Sequence, residues 1–76
     1  MSRALHDIAS EIRKDWAPVN FAAKPYLEAM GQLRSIDDAY YYDSGKSVVL
    51  YFLSNAASWR GEAARRIKAE LKAMMK

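Results

Sequence analysis

The sequence predicts an all-α fold, a small bundle of three to four helices, and three observations support it. Apolar residues recur at helical spacing near both ends of the chain. The 76 residues are about half of a typical domain, so we expect a single helical domain over residues 1–76. Hydrophobic residues make up 51% of the chain and charged residues 28%, a balance typical of globular rather than disordered proteins.

The small size of the chain also predicts self-association. A core in so short a chain stabilises the fold by only about 3–5 kcal/mol. The chain has no cysteines for disulfides, and its single histidine, His6, cannot anchor a zinc ion alone. We therefore expect neither a metal nor a cofactor, and we expect a homodimer to supply the missing stability.

The first helix is predicted from Ser2 to about Trp16, because five apolar residues fall within an arc of about 100° at helical pitch. These residues are Leu5, Ile8, Ala9, Ile12 and Trp16. Arg3, on the opposite face, is predicted to be solvent-exposed and to gain roughly a few tenths of a kcal/mol from ion pairs. Pro18 disfavours helix at the preceding residue and starts a connection.

The second helix is predicted over about residues 24–33, because Pro25 suits a position near a helix start. Gly31 weakens this helix by about 1 kcal/mol relative to alanine. Residues 35–38 then resemble a helix start, with Ser35 as the cap and an acid three residues later. The usual motif has Glu or Gln in place of Asp38, so this segment is predicted to form a short helical turn or none.

Residues 48–53, VVLYFL, suit a buried strand as well as a buried helix by their length and β-branched start. Helix is favoured, because a lone strand would leave its backbone groups unpaired unless a second molecule completed the sheet. Asp43 and Ser44 can cap such a helix. A helix that is apolar on all sides must be surrounded by other helices or by a second copy, which is the main reason for expecting a dimer.

The last helix is predicted from Ser58, as its N-cap, to about Met75, with Trp59 paired across the bundle with Trp16. Six basic and two acidic side chains from Arg60 onward give this part of the chain a charge of +4, and the rest carries −1. On the side opposite to the apolar residues, four cations lie within about 80° of one another at helical pitch. They are Arg65, Lys68, Lys72 and Lys76.

These four cations, together with Arg60, form what we call the basic stripe. A basic stripe can meet phosphates or an acidic protein surface, so its residues are candidates for partner or nucleic-acid binding. The alternative is solvated surface that complements the dipole at the helix end. A helix-turn-helix around residues 57–61 is weakly indicated, because Glu62 and Glu70 stand where that motif prefers apolar residues.

Tyr40, Tyr41 and Tyr42 cannot all face one core stripe, so we expect at least one ring to stay accessible. Tyrosine is a favoured anchor in protein interfaces, which makes these rings candidates for partner binding. The alternative is that they cover the core of a small domain. The sequence leaves both interpretations open.

No constellation of residues predicts an enzyme. The tripeptide at residues 45–47, GKS, copies the end of a phosphate-binding loop, but Tyr40 stands where the first glycine belongs and no preceding strand is evident. Asp7 and Glu11 lie one helical turn apart, yet nothing near them forms an apolar pocket that would shift a pKa. The serines lack an evident base.

Three stretches of the chain carry a resemblance to known sequences. They are residues 3–16 (RALHDIASEIRKDW), residues 26–30 (YLEAM), and residues 58–62 (SWRGE) through 67–71 (IKAEL). In these stretches the chain resembles short uncharacterised proteins from phages and conjugative or other mobile elements of Gram-positive bacteria. The resemblance implies one of two roles: an inhibitor that docks on a host defence protein, such as an anti-CRISPR, or a DNA-associated accessory factor. It implies no activity and no site residues.

We therefore expect a non-enzymatic interaction module that binds a protein partner. The exposed members of the three tyrosines would act as anchors, and the basic stripe would add electrostatic attraction. A DNA-associated accessory or regulatory protein that uses the basic last helix is the alternative. A cytoplasmic location is expected, because no apolar run approaches the roughly 18 residues of a membrane span and the first residues acquire acids where a signal peptide is apolar.

Overall fold

The computed structural model describes residues 3–75, which form four helices and one short hairpin. In chain order these elements are α1 (Leu5–Asp15), α2 (Lys24–Met30), β1 (Ala39–Tyr40), β2 (Asp43–Ser44), α3 (Gly45–Ser54) and α4 (Glu62–Met74). The two strands pair antiparallel. The four helices and the mostly helical fold agree with the prediction, but the hairpin means that the fold is not purely all-α. No helix within residues 3–75 is both long and apolar enough to cross a membrane.

The start of α1 is fixed by the chain that follows α2. The amides of Leu5 and His6 donate to the carbonyls of Arg34 and Leu33, at 2.9 Å each, so two first-turn donors find partners outside the helix. The helix therefore begins at Leu5, and the predicted start, Ser2, lies outside the described residues. The buried residues of α1 are Leu5, Ile8, Ala9 and Ile12.

The segment after α2 is a turn closed by a carboxylate. α2 ends at Met30, three residues before the predicted end. Farther along, one carboxylate oxygen of Asp38 accepts the amides of Arg34 at 2.9 Å and Ser35 at 3.3 Å. These two backbone hydrogen bonds hold the pKa of Asp38 below its ordinary value. Of the two outcomes predicted for residues 35–38, a short helical turn or none, the structure shows no helix.

Gly45, the first residue of α3, lies directly against this turn. A Cβ at Gly45 would lie 2.6 Å from the carbonyl oxygen of Ser35 and 2.9 Å from the Cα of Ile36. The preceding residue, Ser44, caps the helix as predicted, because its Oγ accepts the amide of Ser47 at 3.1 Å. Glycine therefore permits the hairpin and the start of α3 to pack on the turn at residues 35–36.

The helix predicted at residues 48–53 is confirmed as α3. Its buried side carries Val48, Val49 and Phe52, whereas Leu50 and Tyr51 are 47% and 50% exposed. The described chain therefore covers one side of this apolar helix and leaves the other side half open. The homodimer, expected because such a helix should be surrounded, remains a prediction.

Three aromatic rings join the ends of α1 and α3 to the chain before α4. Trp16 and Trp59 stack with their ring centroids 5.6 Å apart and their planes 9° apart, which confirms the predicted pairing. The ring of Phe52 lies 6.3 Å from both indoles in edge-to-face arrangements. The indole nitrogen of Trp59 donates to Oδ2 of Asp15 at 2.8 Å. These contacts fix the connection that leads into α4.

The last helix begins later than predicted. α4 starts at Glu62, after Gly61, whose φ of +115° favours glycine because a side chain rarely tolerates that conformation. Ser58, the predicted N-cap, instead contacts Asn20, whose Nδ2 donates to the Ser58 hydroxyl at 3.5 Å. The capping role predicted for Ser58 is therefore wrong. The buried residues of α4 are Ala64, Ile67 and Leu71.

Arg3 links the first and last helices through a charged network. Its guanidinium donates to both carboxylate oxygens of Glu70, at 2.7 and 3.0 Å, and to Oε1 of Glu11 at 2.7 Å. Arg66 pairs with the other oxygen of Glu11. The prediction that Arg3 would be an exposed residue with little pairing is therefore wrong. Local spacing could not reveal the pair, because Glu70 lies 67 positions away in the sequence.

Gly45→Ala should destabilise the fold by about 2 kcal/mol, because the added methyl group overlaps the backbone at residues 35–36. Helix propensity alone would favour alanine by up to about 1 kcal/mol, so a loss of stability would have to come from the steric clash. Urea denaturation measures the free energy of unfolding. Gly31→Ala is the matched control, since the nearest atom to its Cβ would be the carbonyl oxygen of Glu28 at 3.3 Å, a close contact that a small shift relieves. A Gly45→Ala variant as stable as the original protein would contradict the packing described.

The Arg3 network should give the stability a defined pH dependence. Arg66 and then Arg3 lower the pKa of Glu11, and Arg3 lowers the pKa of Glu70, below the ordinary value of 4.5. Because both carboxyl groups have a lower pKa in the folded protein than in the unfolded chain, their ion pairs stabilise the fold fully above pH 4.5. This stabilisation is lost as the pH falls through the folded-state pKa values.

We expect Arg3→Met to be less stable than the original protein at neutral pH, and the difference to vanish in acid. Urea denaturation at a series of pH values measures it. Lys14→Met removes an exposed cation of α1 that has no ion pair within residues 3–75, so its effect should be small at every pH. A deficit for Arg3→Met that stays constant with pH would rule out the network as its cause.

Candidate functional site

The cations of the last part of the chain divide into paired and unpaired ones. Arg66 is neutralised by Glu11, as described above. Arg60, Arg65 and Lys72 are exposed, and none of them forms an ion pair with an acid in the described part of the chain. These three are the exposed cations of the basic stripe. Its fifth predicted member, Lys76, lies outside the described residues.

Lys68 differs from the other members of the basic stripe. Its ammonium donates to the carbonyls of Ala56 and Trp59, at 2.7 Å each, and lies 5.8 Å from the centroid of the Trp59 ring. Burial, and then the charges of Lys72 and Arg60, lower the pKa of Lys68. Two of its three N–H donors are thus occupied by the chain itself, and Lys68 fastens the connection at residues 56–59 to α4.

An open groove of about 350 Å³ lies where this connection meets the first two turns of α4. Its lining residues are Trp59, Arg60, Gly61, Ala64, Arg65 and Lys68. Trp59 and Ala64 belong to the buried core and are 2% and 1% exposed, so the accessible apolar surface of the groove comes mainly from the carbon chains of the cationic lining residues. The charged groups therefore border an apolar surface, and we call this feature the cationic groove.

The three candidate tyrosines lie on the hairpin. Tyr41 and Tyr42 form its two-residue turn between the paired residues Tyr40 and Asp43, and they are 84% and 104% exposed. Tyr40 is half-buried and contacts the ring of Tyr41 edge-on, with centroids 4.7 Å apart. The expectation that at least one ring stays accessible is confirmed. We call Tyr41 and Tyr42 the tyrosine turn.

The backbone at the tyrosine turn is unusual for tyrosine. Tyr41 has a φ of +56° at the first central position of a two-residue turn, a place where glycine is standard. A side chain in this left-handed region costs about 1–2 kcal/mol because its Cβ crowds the following carbonyl oxygen. The backbone at Tyr41 is therefore strained while its ring stays exposed.

The structure does not bring the tyrosines and the basic stripe into one site. The hairpin ends at Ser44, directly before α3, whereas Trp59 of the cationic groove packs on Phe52 near the other end of that helix. A helix of 10 residues is about 15 Å long. The two candidate surfaces therefore lie at opposite ends of α3.

The GKS tripeptide is explained by packing rather than by phosphate binding. The amides of Gly45 and Lys46 donate to the carbonyls of Asp38 and Ile36, at 2.7 and 2.9 Å, and the Ser47 amide is taken by the Ser44 cap. A phosphate-binding loop needs such amides free. The two-residue strand β2 does precede the tripeptide, contrary to the sequence interpretation, but it leads into a packed helix start.

The exposed ring of Phe21 and the ion pairs of Glu11 were not predicted from the sequence. Phe21 is 90% exposed, and the only signal for it is a lone aromatic residue in the connection between two predicted helices. Glu11 lies between two guanidinium groups instead of forming a carboxylate pair with Asp7. Within residues 3–75, no group of three or more His, Asp or Glu side chains is arranged to hold a metal ion.

Lys68→Met should lower the free energy of unfolding by about 1–3 kcal/mol, because two carbonyls lose a charged donor. Lys72→Met is the matched control, since Lys72 is exposed on the same helix, and it should change stability by less than about 0.5 kcal/mol. Thermal and urea unfolding of the two variants measure the difference. Equal effects of both changes would show that Lys68 has no structural role.

Comparisons of the chain with protein-family models, with curated proteins and with solved structures found no match. No family membership is shown by them, and the resemblance to proteins of Gram-positive mobile elements rests on the stretches quoted from the sequence. The function therefore has to be inferred from the geometry and charge of the chain's own surfaces.

Proposed function

We propose that this protein is a non-enzymatic interaction module that binds a protein partner through the tyrosine turn. The observation that supports the proposal most strongly is the exposure of two adjacent tyrosine rings on a two-residue turn. Tyrosine gives a large apolar contact area at a small cost in side-chain entropy, and its hydroxyl can bond at the edge of an interface. Both rings are presented together, as a protruding anchor requires.

The strain at Tyr41 supports the same proposal. Strained backbone conformations persist where the rest of the fold enforces them, and they cluster at binding sites. Glycine at position 41 would relieve the strain, and the loss of an exposed ring would remove little packing within the chain. A residue that costs stability and packs little within the fold is well suited to contacts with another molecule.

The partner class and the finer description of the fold are also part of the proposal. The resemblance to mobile-element proteins supports a host defence protein as the partner, as for an anti-CRISPR inhibitor in a bacterial cytoplasm. The half-exposed side of α3, with Leu50 and Tyr51, supports self-association of a small helical bundle as a homodimer. Sedimentation over a concentration series tests this dimer, and a monomer at high concentration would contradict it.

A DNA-associated accessory role is the second candidate, supported by Arg60, Arg65 and Lys72, which are exposed and have no acidic partner among residues 3–75. Two observations weigh against it. Arg66 is already neutralised by Glu11, and the exposed Glu62 lies in the first turn of the same helix, where it would repel phosphate. Titration with duplex DNA at two salt concentrations tests this role, because phosphate contacts make affinity fall steeply with salt.

Changes in the tyrosine turn should separate binding from stability. Tyr42→Ala should weaken partner binding by roughly tenfold or more, because truncating an anchor costs about 2 kcal/mol, and it should leave the midpoint of thermal unfolding unchanged. Tyr41→Gly should weaken binding and stabilise the fold by about 1 kcal/mol. Affinity capture from a host lysate, followed by calorimetric titration of the captured protein, measures the first effect.

Phe21→Ala is the matched control, since it removes an equally exposed aromatic ring from another part of the surface. It should leave partner binding within about twofold of the original value. Capture of the same partner, at the same affinity, by the Tyr41→Gly/Tyr42→Ala double variant would show that the tyrosine turn is not the anchor.

A further inference from the structure

We propose that the cationic groove is a second binding site, and that it takes an acidic segment of a partner protein. An apolar side chain of that segment would lie against the carbon chains of Arg60, Arg65 and Lys68. Its carboxylates would pair with Arg60 and Arg65 at the border of the groove. The site lies at the other end of α3 from the tyrosine turn, so it requires nothing of that surface.

The charge of the groove supports an anionic occupant. Arg60 and Arg65 line the groove and have no acidic partner within residues 3–75. Lys72 lies one turn beyond Lys68 on α4 and is also exposed. Burial, and then the nearby charges of Lys72 and Arg60, lower the pKa of Lys68, so these cations lie close to one another. Bound carboxylates would relieve this mutual repulsion.

The shape of the groove supports an apolar side chain beside the carboxylates. Its volume of about 350 Å³ is in the range of small binding pockets. Gly61 keeps one edge open, because a Cβ placed there would meet no atom within 4 Å. An occupant that used the cationic groups alone would leave the carbon chains of the lining residues in contact with water, whereas a mixed acidic and apolar segment covers both.

Nucleic acid fits the same groove less well. Single-stranded nucleic acid uses exposed aromatic faces for base stacking, but Trp59 is 2% exposed and its face is occupied by Trp16. Duplex binding depends on the number of phosphate contacts, and this surface offers few free cations close to an exposed acid, Glu62. An acidic protein segment is therefore the occupant that the groove favours.

The test uses the full chain and a fluorescein-labelled peptide of alternating glutamate and leucine, about 12 residues long. Fluorescence anisotropy at physiological salt measures its affinity, and the tryptophan emission reports on the stacked pair of Trp16 and Trp59 beside the groove. We expect binding with a shift of that emission. We expect Arg60→Glu/Arg65→Glu to weaken the affinity at least tenfold. Lys24→Glu/Lys46→Glu, which changes the net charge equally at exposed sites outside the groove, should weaken it less than threefold.

Three outcomes would overturn the proposal. The first is no binding of the peptide by the original protein. The second is an equal loss of affinity in the two double variants, which would reduce the effect to net charge. The third is tighter binding of a labelled duplex DNA than of the peptide at physiological salt, with the loss confined to Arg60→Glu/Arg65→Glu, which would assign the groove to nucleic acid.

Two controls distinguish a loss of peptide binding from unfolding of the variant and from any contribution of the tyrosine turn. Circular dichroism and thermal unfolding check each variant, and Arg65→Gln, a milder change at an exposed residue, should still weaken the peptide about threefold or more. The Tyr41→Gly/Tyr42→Ala variant should bind the peptide as the original protein does. Failure of the groove proposal and failure of the tyrosine-turn proposal are therefore distinguishable.

Discussion

Trp16 and Trp59 stack at 5.6 Å, and Phe52 packs edge-to-face with both rings, so that one aromatic cluster holds the end of α1, the end of α3 and the chain before α4. The hydrogen bond from the Trp59 indole to Asp15 fixes the orientation of this stack. Lys68 then fastens the same connection to α4 through two carbonyls. The position of α4, and with it the border of the cationic groove, depends on this cluster.

Much of the helical structure could be predicted because its signals are local. The apolar periodicity of α1 and the length of the VVLYFL segment are properties of neighbouring residues, and both helices are present. The hairpin could not be predicted, because strands of two residues show no alternation and Tyr41 is not a residue expected at positive φ. The Arg3–Glu70 pair joins residues 67 positions apart, so no spacing rule reveals it.

The candidate surfaces could also be predicted in part, because some of their signals are local in the sequence. Three adjacent tyrosines cannot share one face, which made an exposed ring predictable from the sequence. Helical pitch placed the cations of α4 on one side, but it could not show that Lys68 bonds to Ala56 and Trp59 or that Glu11 neutralises Arg66. It also could not show that the tyrosines and the arginines lie at opposite ends of α3, because that arrangement follows from tertiary packing.

The hairpin is tied down at both of its ends. Its strands pair with each other, and the amides of Gly45 and Lys46 bond to carbonyls of the turn that precedes it. Because the backbone of this segment is already held, it loses little conformational entropy when another molecule binds to the two rings. The tip is therefore preorganised, and a partner of the kind proposed would gain affinity from a small contact area without a folding step at the moment of docking.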